Sequence, residues 1–410
     1  MDKKRIVITG VGVVAPNGIG KEEFWKNCLA GVSGIKPITL FDVSKYRCKY
    51  AGEISNFQPE KYLGSKGLRN LDRTTLLALV AAKLAIDDAK LEITDENRND
   101  IGVVLGSTMG SVHSISEFDK EGLREGPRYV NPAQFPNTVI NSPASQVAIR
   151  FGLRSLNSTI STGFTASLDA IGYAMDMLQL GRANALLVGG VEELCIQTFL
   201  GFYKLGFLAT AQNGTPPVFA PFDARRCGAI LGEGAAFFVL ETLELAMERK
   251  TTIYAELLGY VTQFSPASMY RYDPEAEGLR EVLQRVLEES GVDPDEIDYV
   301  SASANSTKVG DAAEASAFRQ ALGGRAVPTS AVKSMLGESF SASGAFQVAG
   351  VVGALIKRHI PPTLSWQRSD PGCAVQCASS SQEALLRHVL VSGFGPTGVA
   401  SALVVARTDA

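Results

Sequence analysis

Asn157-Ser158-Thr159-Ile160-Ser161-Thr162-Gly163-Phe164-Thr165-Ala166-Ser167-Leu168-Asp169-Ala170 reads as a strand, a tight turn and the start of a helix. Asn157–Ile160 is a β-type run and Ser161–Gly163 is the turn. The apolar spacing of Ser167–Leu180 then carries a helix to Gly181. Position 164 falls at the helix N-terminus, where the dipole and free N–H groups favour an anion. A cysteine there would be activated as its thiolate. Phe164 has no lone pair, cannot lose a proton and cannot be acylated. Taken alone, the stretch reads as an aromatic side chain packing beneath a helix.

Working outward, three more stretches end strands with small polar residues. Tyr299-Val300-Ser301-Ala302 runs into the loop Ser303–Gly310, and Asp311 leads a helix. Ala331-Val332-Lys333-Ser334-Met335-Leu336-Gly337-Glu338, followed by Ser341-Ala342-Ser343-Gly344-Ala345, is a strand, turn and closely packing helix. Ser392-Gly393-Phe394-Gly395-Pro396 is a turn before the last strand.

Short Val/Ile/Leu runs alternate with helical stretches, which argues for α/β layers. Buried strands are expected at Arg5–Gly10, Ile101–Gly106, Ala185–Gly190 and Ala235–Leu240, with a helix over Leu71–Lys90. After the helical turn Leu243–Lys250 the cadence restarts. A strand is expected at Ile253–Gly259, a helix at Pro274–Ser290, a strand at Ile297–Ala302, a helical region over Val332–Lys357 and a last strand at Ala400–Ala406. The halves meet near residues 245–252, with no low-complexity linker between them. Gly10-Val11-Gly12-Val13-Val14-Ala15 resembles a dinucleotide loop with poor spacing and reads better as a tight turn. Met175 and Met177 read as core filler.

The composition is that of a globular chain. Of 410 residues, 45% are hydrophobic and 20% charged, and the net charge of -4 gives no footing to nucleic acid or an anionic membrane. No apolar run reaches bilayer length, and the start lacks a cleavable signal. The six Cys are scattered and complete no zinc site, so free thiols in a reducing cytoplasm are expected. His113, His359 and His388 are the only histidines. His113 sits in a Ser-rich, loop-like stretch, and the other two lie near strand starts.

Together with Val7-Ile8-Thr9-Gly10-Val11-Gly12, Leu187-Val188-Gly189-Gly190-Val191-Glu192, Pro221-Phe222-Asp223-Ala224-Arg225-Arg226-Cys227-Gly228 and Leu231-Gly232-Glu233-Gly234-Ala235, these stretches resemble the β-ketoacyl-acyl-carrier-protein synthases. The resemblance runs over essentially the whole chain. It implies an α/β, thiolase-like fold: two similar α/β halves, 1–248 and 249–410, in a five-layered α-β-α-β-α arrangement. In active members the first stretch reads Thr-Ala-Cys, which places the nucleophile on Phe164. The second reads Ala-His-Gly-Thr-x-Thr and the third Lys-Ser-x-x-Gly-His, which places the two His on Ser303 and Glu338. Lys333 and the acidic Asp311 are retained. Pro396 replaces one Gly of the family's glycine turn and tells against a flexible gate there.

Claisen condensation needs a thioester carrier and donors that stabilise an enolate. Losing one donor costs about 3–4 kcal/mol of barrier, and losing the nucleophile abolishes the covalent route. A carboxylate at 338 would also repel an enolate. The chain alone is therefore not expected to condense. The resemblance implies the chain-length factor of type II polyketide synthases, an inactive subunit paired with an active ketosynthase α subunit. Many such factors carry Gln at the Cys position, linked to decarboxylation of malonyl carrier protein, and Phe164 cannot supply that hydrogen bond.

The growing polyketide would thread a tunnel along the heterodimer interface. Acyl carrier protein would bring the 4'-phosphopantetheine, with no cofactor or metal held by this chain. The implied gate lies in Gly110–Lys120, with Ser111, Ser114 and Phe118 nearest the limit, and Phe135, Thr138 and Phe202 lining or bordering the interface. Plain interface packing and direct chain contact both stay open for each. Small Ser111 and Ser114 point to a fairly long tunnel. Rival readings are an active or decarboxylating ketosynthase using Cys195 or Cys227, a purely stabilising scaffold partner, and a nicotinamide oxidoreductase resting on Gly10–Ala15. Neither cysteine is expected at a helix start. Aromatic polyketides and aryl polyenes are both open as products.

Overall fold

The computed structural model describes residues 4–210, 217–266 and 271–408. The main strands are β1 (Ile6–Ala15), β2 (Ile101–Gly106), β3 (Asn157–Ile160), β4 (Ala185–Glu192), β5 (Gly234–Thr242), β6 (Ala255–Phe264), β7 (Ile297–Ser301), β8 (Pro328–Ser330), β9 (His388–Phe394) and β10 (Val399–Ala406). The first five line up as β3-β2-β4-β5-β1, and the second five repeat that order as β8-β7-β9-β10-β6. Both sets have two parallel pairings followed by two antiparallel ones. They join where β1 runs antiparallel to β6, Ile6 opposite Leu257.

The layering is the five-deep α-β-α-β-α stack of the thiolase-like fold. Helices Ala166–Gln179 and Ser341–Lys357 form the middle layer, where Leu168, Ile171, Phe346 and Val352 pack against strands of both sets in one core. Helix Arg73–Asp88 covers one outer face. Helices Glu277–Ser290 and Lys308–Ala321 cover the other. Each middle helix is so apolar that burial on all sides is its stable state.

Local details depart from the sequence reading. Gly10–Ala15 is the second half of β1 and not a tight turn. Gly12 is there because strand and helix nearly touch: a Cβ on it would lie 2.0 Å from the Ala81 carbonyl oxygen. His113 belongs to helix Val112–Glu125 and not to a loop. The region Val332–Lys357 is broken, with a short helix Lys333–Leu336, then Gly337–Phe340, then the middle helix. The break lets the Glu338 backbone clip to a neighbouring segment, its N–H donating to Ile230 O at 2.7 Å and its carbonyl accepting from Gly232 N at 2.8 Å. Helix Glu277–Ser290 starts three residues after the expected Pro274.

Candidate functional site

The two middle helices point their N-termini at one spot, and an aromatic residue precedes each. Phe164 sits in the turn Gly163–Thr165 before Ala166–Gln179, and Phe340 directly precedes Ser341–Lys357. Phe340 adopts φ 45° and ψ -112°, a left-handed backbone that a non-glycine residue holds only under constraint. Phe164 is 3% exposed and meets Phe340, Phe207 and Phe202 edge-on, at 5.1, 5.9 and 6.2 Å between centroids. Phe202 stacks on Phe340 at 4.6 Å. Gly395 closes the box from the last turn; a Cβ there would lie 2.6 Å from Phe164 Cβ. Such edge-to-face pairs are the favoured aromatic geometry. The spot where a helix dipole would favour an anion is filled with hydrocarbon.

Beside the box lies a buried polar cluster. Lys333 Nζ donates to Glu338 Oε2 at 2.9 Å and to Ser303 Oγ at 3.1 Å. Glu338 also accepts from Asn305 Nδ2 at 2.8 Å, Ser343 Oγ at 2.8 Å and its neighbour Phe340 N at 3.0 Å. Both carboxylate oxygens are thus engaged, and the residue is wholly buried. A buried ion pair persists only when its remaining lone pairs are satisfied, as they are here. Asn305 Nδ2 reaches Tyr272 Oη at 2.9 Å as well. Burial pushes the Tyr272 phenol well above its ordinary value, and the Glu338 charge adds to it.

Around the cluster, Ser303 N donates to Glu314 Oε1 at 2.8 Å. Asp311 accepts from Phe222 N at 2.9 Å and Asn305 N at 3.0 Å. Burial pushes Glu314 up to about 7 and Asp311 up to about 6. A cleft of about 480 Å³ opens nearby, lined by Phe207, Tyr272, Thr307 and Pro396 among others, but not by Phe164, Ser303 or Glu338. Phe207 and Tyr272, stacked at 6.5 Å, line this cleft while Phe207 also touches Phe164.

Of the positions read from the sequence, Phe164, Ser303, Glu338, Lys333 and Phe202 converge on this one site. Ser111 is buried beside Asp72, directly before helix Val112–Glu125. Ser114 and Phe118 are half-buried on that helix. Phe118 meets Phe135 at 6.3 Å, and Thr138 Oγ1 donates to Phe135 O at 2.8 Å. Phe118, Phe135 and Thr138 therefore form a group of their own. Cys195, contrary to expectation, does stand at a helix start, before Ile196–Lys204. Its thiol is not activated, because burial, with the Glu193 charge, pushes it up to about 11. Sequence reasoning missed Tyr272, Asn305, Phe340 and Ser343. Asn305 alone left a signal, falling on a Thr of the family pattern.

Fold and site together define a chain of the thiolase-like ketosynthase fold, with Phe164, Ser303 and Glu338 at the positions where the resemblance expects a Cys and two His. Residues 3–246 match the beta-ketoacyl synthase N-terminal domain and 254–367 its C-terminal domain, so the chain belongs to the beta-ketoacyl synthase family. It is 35% identical over 411 residues to the 3-oxoacyl-[acyl-carrier-protein] synthase 2 of Coxiella burnetii, covering 99% of each chain. The synthase of the same name from Synechocystis is 32% identical, with 96% of each chain covered. Among solved structures it resembles the ishigamide ketosynthase/chain length factor, with a TM-score of 0.91 and 31% identity over 99% of this chain and 100% of that one. It also resembles a type II polyketide synthase acyl-carrier protein in complex with its ketosynthase bound to the hexaketide, with a TM-score of 0.89 and 28% identity over 100% of both chains.

Proposed function

We propose that this chain is the non-condensing, chain-length-limiting subunit of a type II polyketide synthase, paired with an active ketosynthase and served by acyl carrier protein. The observation that carries the reading is the saturated Lys333–Glu338–Ser303 cluster beside the Phe164 box. Where condensation needs a sulfur nucleophile and free N–H donors, the site offers a ring and a carboxylate with every acceptor used. The chain keeps the fold and gives up the chemistry, as a subunit shaping a neighbour's reaction can. We also take 1–248 and 249–410 as its two duplicated units.

The surface supports a partner. Among the described residues β3 pairs on one side only and forms one of the two edges of the sheet. Ile149, 72% exposed, lies on helix Ser142–Phe151, which packs against β3, and Leu123, Tyr129 and Phe135 are exposed apolar side chains of the segments preceding that helix. An open edge flanked by apolar side chains is a site of association. Helix Val112–Glu125 has no buried residue in the single chain. Its Ser114 and Phe118 would face the threaded polyketide once the partner covers this flank.

The 35% identity to a 3-oxoacyl-[acyl-carrier-protein] synthase favours a second reading, that of an elongating enzyme with an unusual site. Incubation with acyl carrier thioester and mass spectrometry separate the two: our reading expects no acyl adduct on this chain, and an adduct on Cys195 or Cys227 would refute it. In the complex fed malonyl carrier protein, Ser114→Trp should shorten the product while the complex persists. An unchanged product would leave only a scaffold role. No helix among the described residues is long and apolar enough to cross a membrane.

A further inference from the structure

The helix expected to limit chain length has to be held at a fixed depth, yet it buries none of its own side chains. Phe118 meets Phe135 further along it, and its N-terminal end is anchored by two adjacent carboxylates at the end of β4. Glu192 accepts from Thr108 N at 3.0 Å and from Met109 N at 3.2 Å. Glu193 accepts from His113 N at 3.0 Å, a donor in the first turn that has no partner within the helix. Both carboxylates are buried. Glu192 further accepts from Ser341 Oγ at 2.6 Å, and Ser341 opens the middle helix right after Phe340. The loop before the gate helix and the start of the middle helix therefore hang on one side chain.

Burying two neighbouring carboxylates is costly unless their hydrogen bonds are made. Among the described residues neither forms an ion pair. Arg73, whose charge interacts with that of Glu193, is committed to Glu233 at 2.6 Å. On the far side Asp72 is occupied as the cap of helix Arg73–Asp88, accepting from Thr75 N at 2.7 Å. The acceptor capacity of Glu192 and Glu193 goes instead to the main chain of 108–113 and to two hydroxyls, Ser341 at Glu192 and Thr74 at Glu193.

We infer that Glu193, seconded by Glu192, is the positioning residue of the chain-length limit. It fixes the first turn of Val112–Glu125 and thereby the depth at which Ser114 and Phe118 stand. The inference rests on the reading of this helix as the gate.

The test uses the complex with its ketosynthase, fed malonyl carrier protein, and compares Glu193→Ala with Glu193→Gln. Gln retains an oxygen for His113 N; Ala does not. With Ala, the share of products longer than the native maximum should rise severalfold, and amides 108–113 should exchange faster. With Gln, product and exchange should return to native. Should the alanine variant not assemble, Glu193→Asp, which retracts the acceptor by one methylene, should still lengthen the product. Native products from Glu193→Ala or Glu193→Asp, alongside shortened products from Ser114→Trp, overturn this inference and leave the gate reading standing. No effect from Ser114→Trp removes the gate reading, and this inference with it.

Discussion

The ring of Phe340 stands edge-on to the ring of Phe164, 5.1 Å between centroids and 86° between planes. The two residues hold equivalent places at the N-termini of the two middle helices. The resemblance puts Phe164 at the position of the acyl-carrying cysteine, and Phe340, Phe202 and Phe207 pack directly around its ring.

Phe164→Cys alone should therefore not restore activity. The new thiol would face hydrocarbon, with no histidine at 303 or 338 to take its proton, and burial among apolar side chains raises a thiol pKa. Mass spectrometry after exposure to acyl carrier thioester should show no adduct at 164. A stoichiometric adduct would mean that the ring itself, and not the aromatic box, was the block.

Phe164→Ala should cost about 3–5 kcal/mol of stability, the range for emptying a buried aromatic site. Three rings lose their partner at once. Denaturant unfolding measures the loss. A cost under about 1 kcal/mol would show that the box collapses freely onto the gap.

Glu338→Ala should cost about 3–5 kcal/mol, because Lys333 is left buried with only the Ser303 hydroxyl. Lys333→Met combined with Glu338→Gln removes both charges and should recover most of that loss. If the double variant is as unstable as the single one, the hydrogen bonds of Glu338, and not its charge balance, hold the cluster.

Much of the fold was legible because it rests on periodicity and short-range signals. The runs at β1, β4 and β7 and the helix after Phe164 announce themselves, and the restart after residue 250 marks the second set of strands. Gly10–Ala15 was misread because glycine also signals turns. Its role, letting Ala81 and Ala85 of a helix touch the strand, shows only when helix and strand are in place. Phe164, Ser303 and Glu338 stood out as departures from a pattern. What they became was not legible. Tyr272 and Asn305 lie 33 residues apart in the chain, and Ser303 and Lys333 lie 30 apart. Contacts of that range leave no period in the sequence. Cys195 was misjudged because no side-chain cap marks the start of its helix.

Ile149→Asp should leave the isolated chain folded and weaken its complex with the ketosynthase. The side chain is 72% exposed, so the single chain should lose no more than about 0.5 kcal/mol. In the complex a charge would be buried without a partner. Size-exclusion chromatography of the co-expressed pair reads the outcome. An intact complex would move the interface away from the β3 edge.

Stability should rise as the medium is acidified from about pH 8 to about pH 5.5, the reverse of what exposed, ion-paired carboxylates produce. Burial pushes Glu192, Glu193 and Glu314 up to about 7 from an ordinary 4.5. It pushes Asp311 up to about 6 from 3.8. Between the ordinary and the raised values the folded chain binds more protons than the unfolded chain. Unfolding then releases protons, so stability falls as pH rises through that window and is greatest at its acid end. Asp223 acts oppositely, held low by the Arg225 guanidinium and by backbone N–H groups despite its desolvation, but its contribution is lost only below the ordinary carboxylate range. Thermal midpoints at the two pH values should differ in favour of the lower one. For Glu192→Gln, which removes one of the titrating groups, the difference should shrink. Midpoints that instead fall on acidification would mean that these four carboxylates are ionised in the folded chain throughout the window.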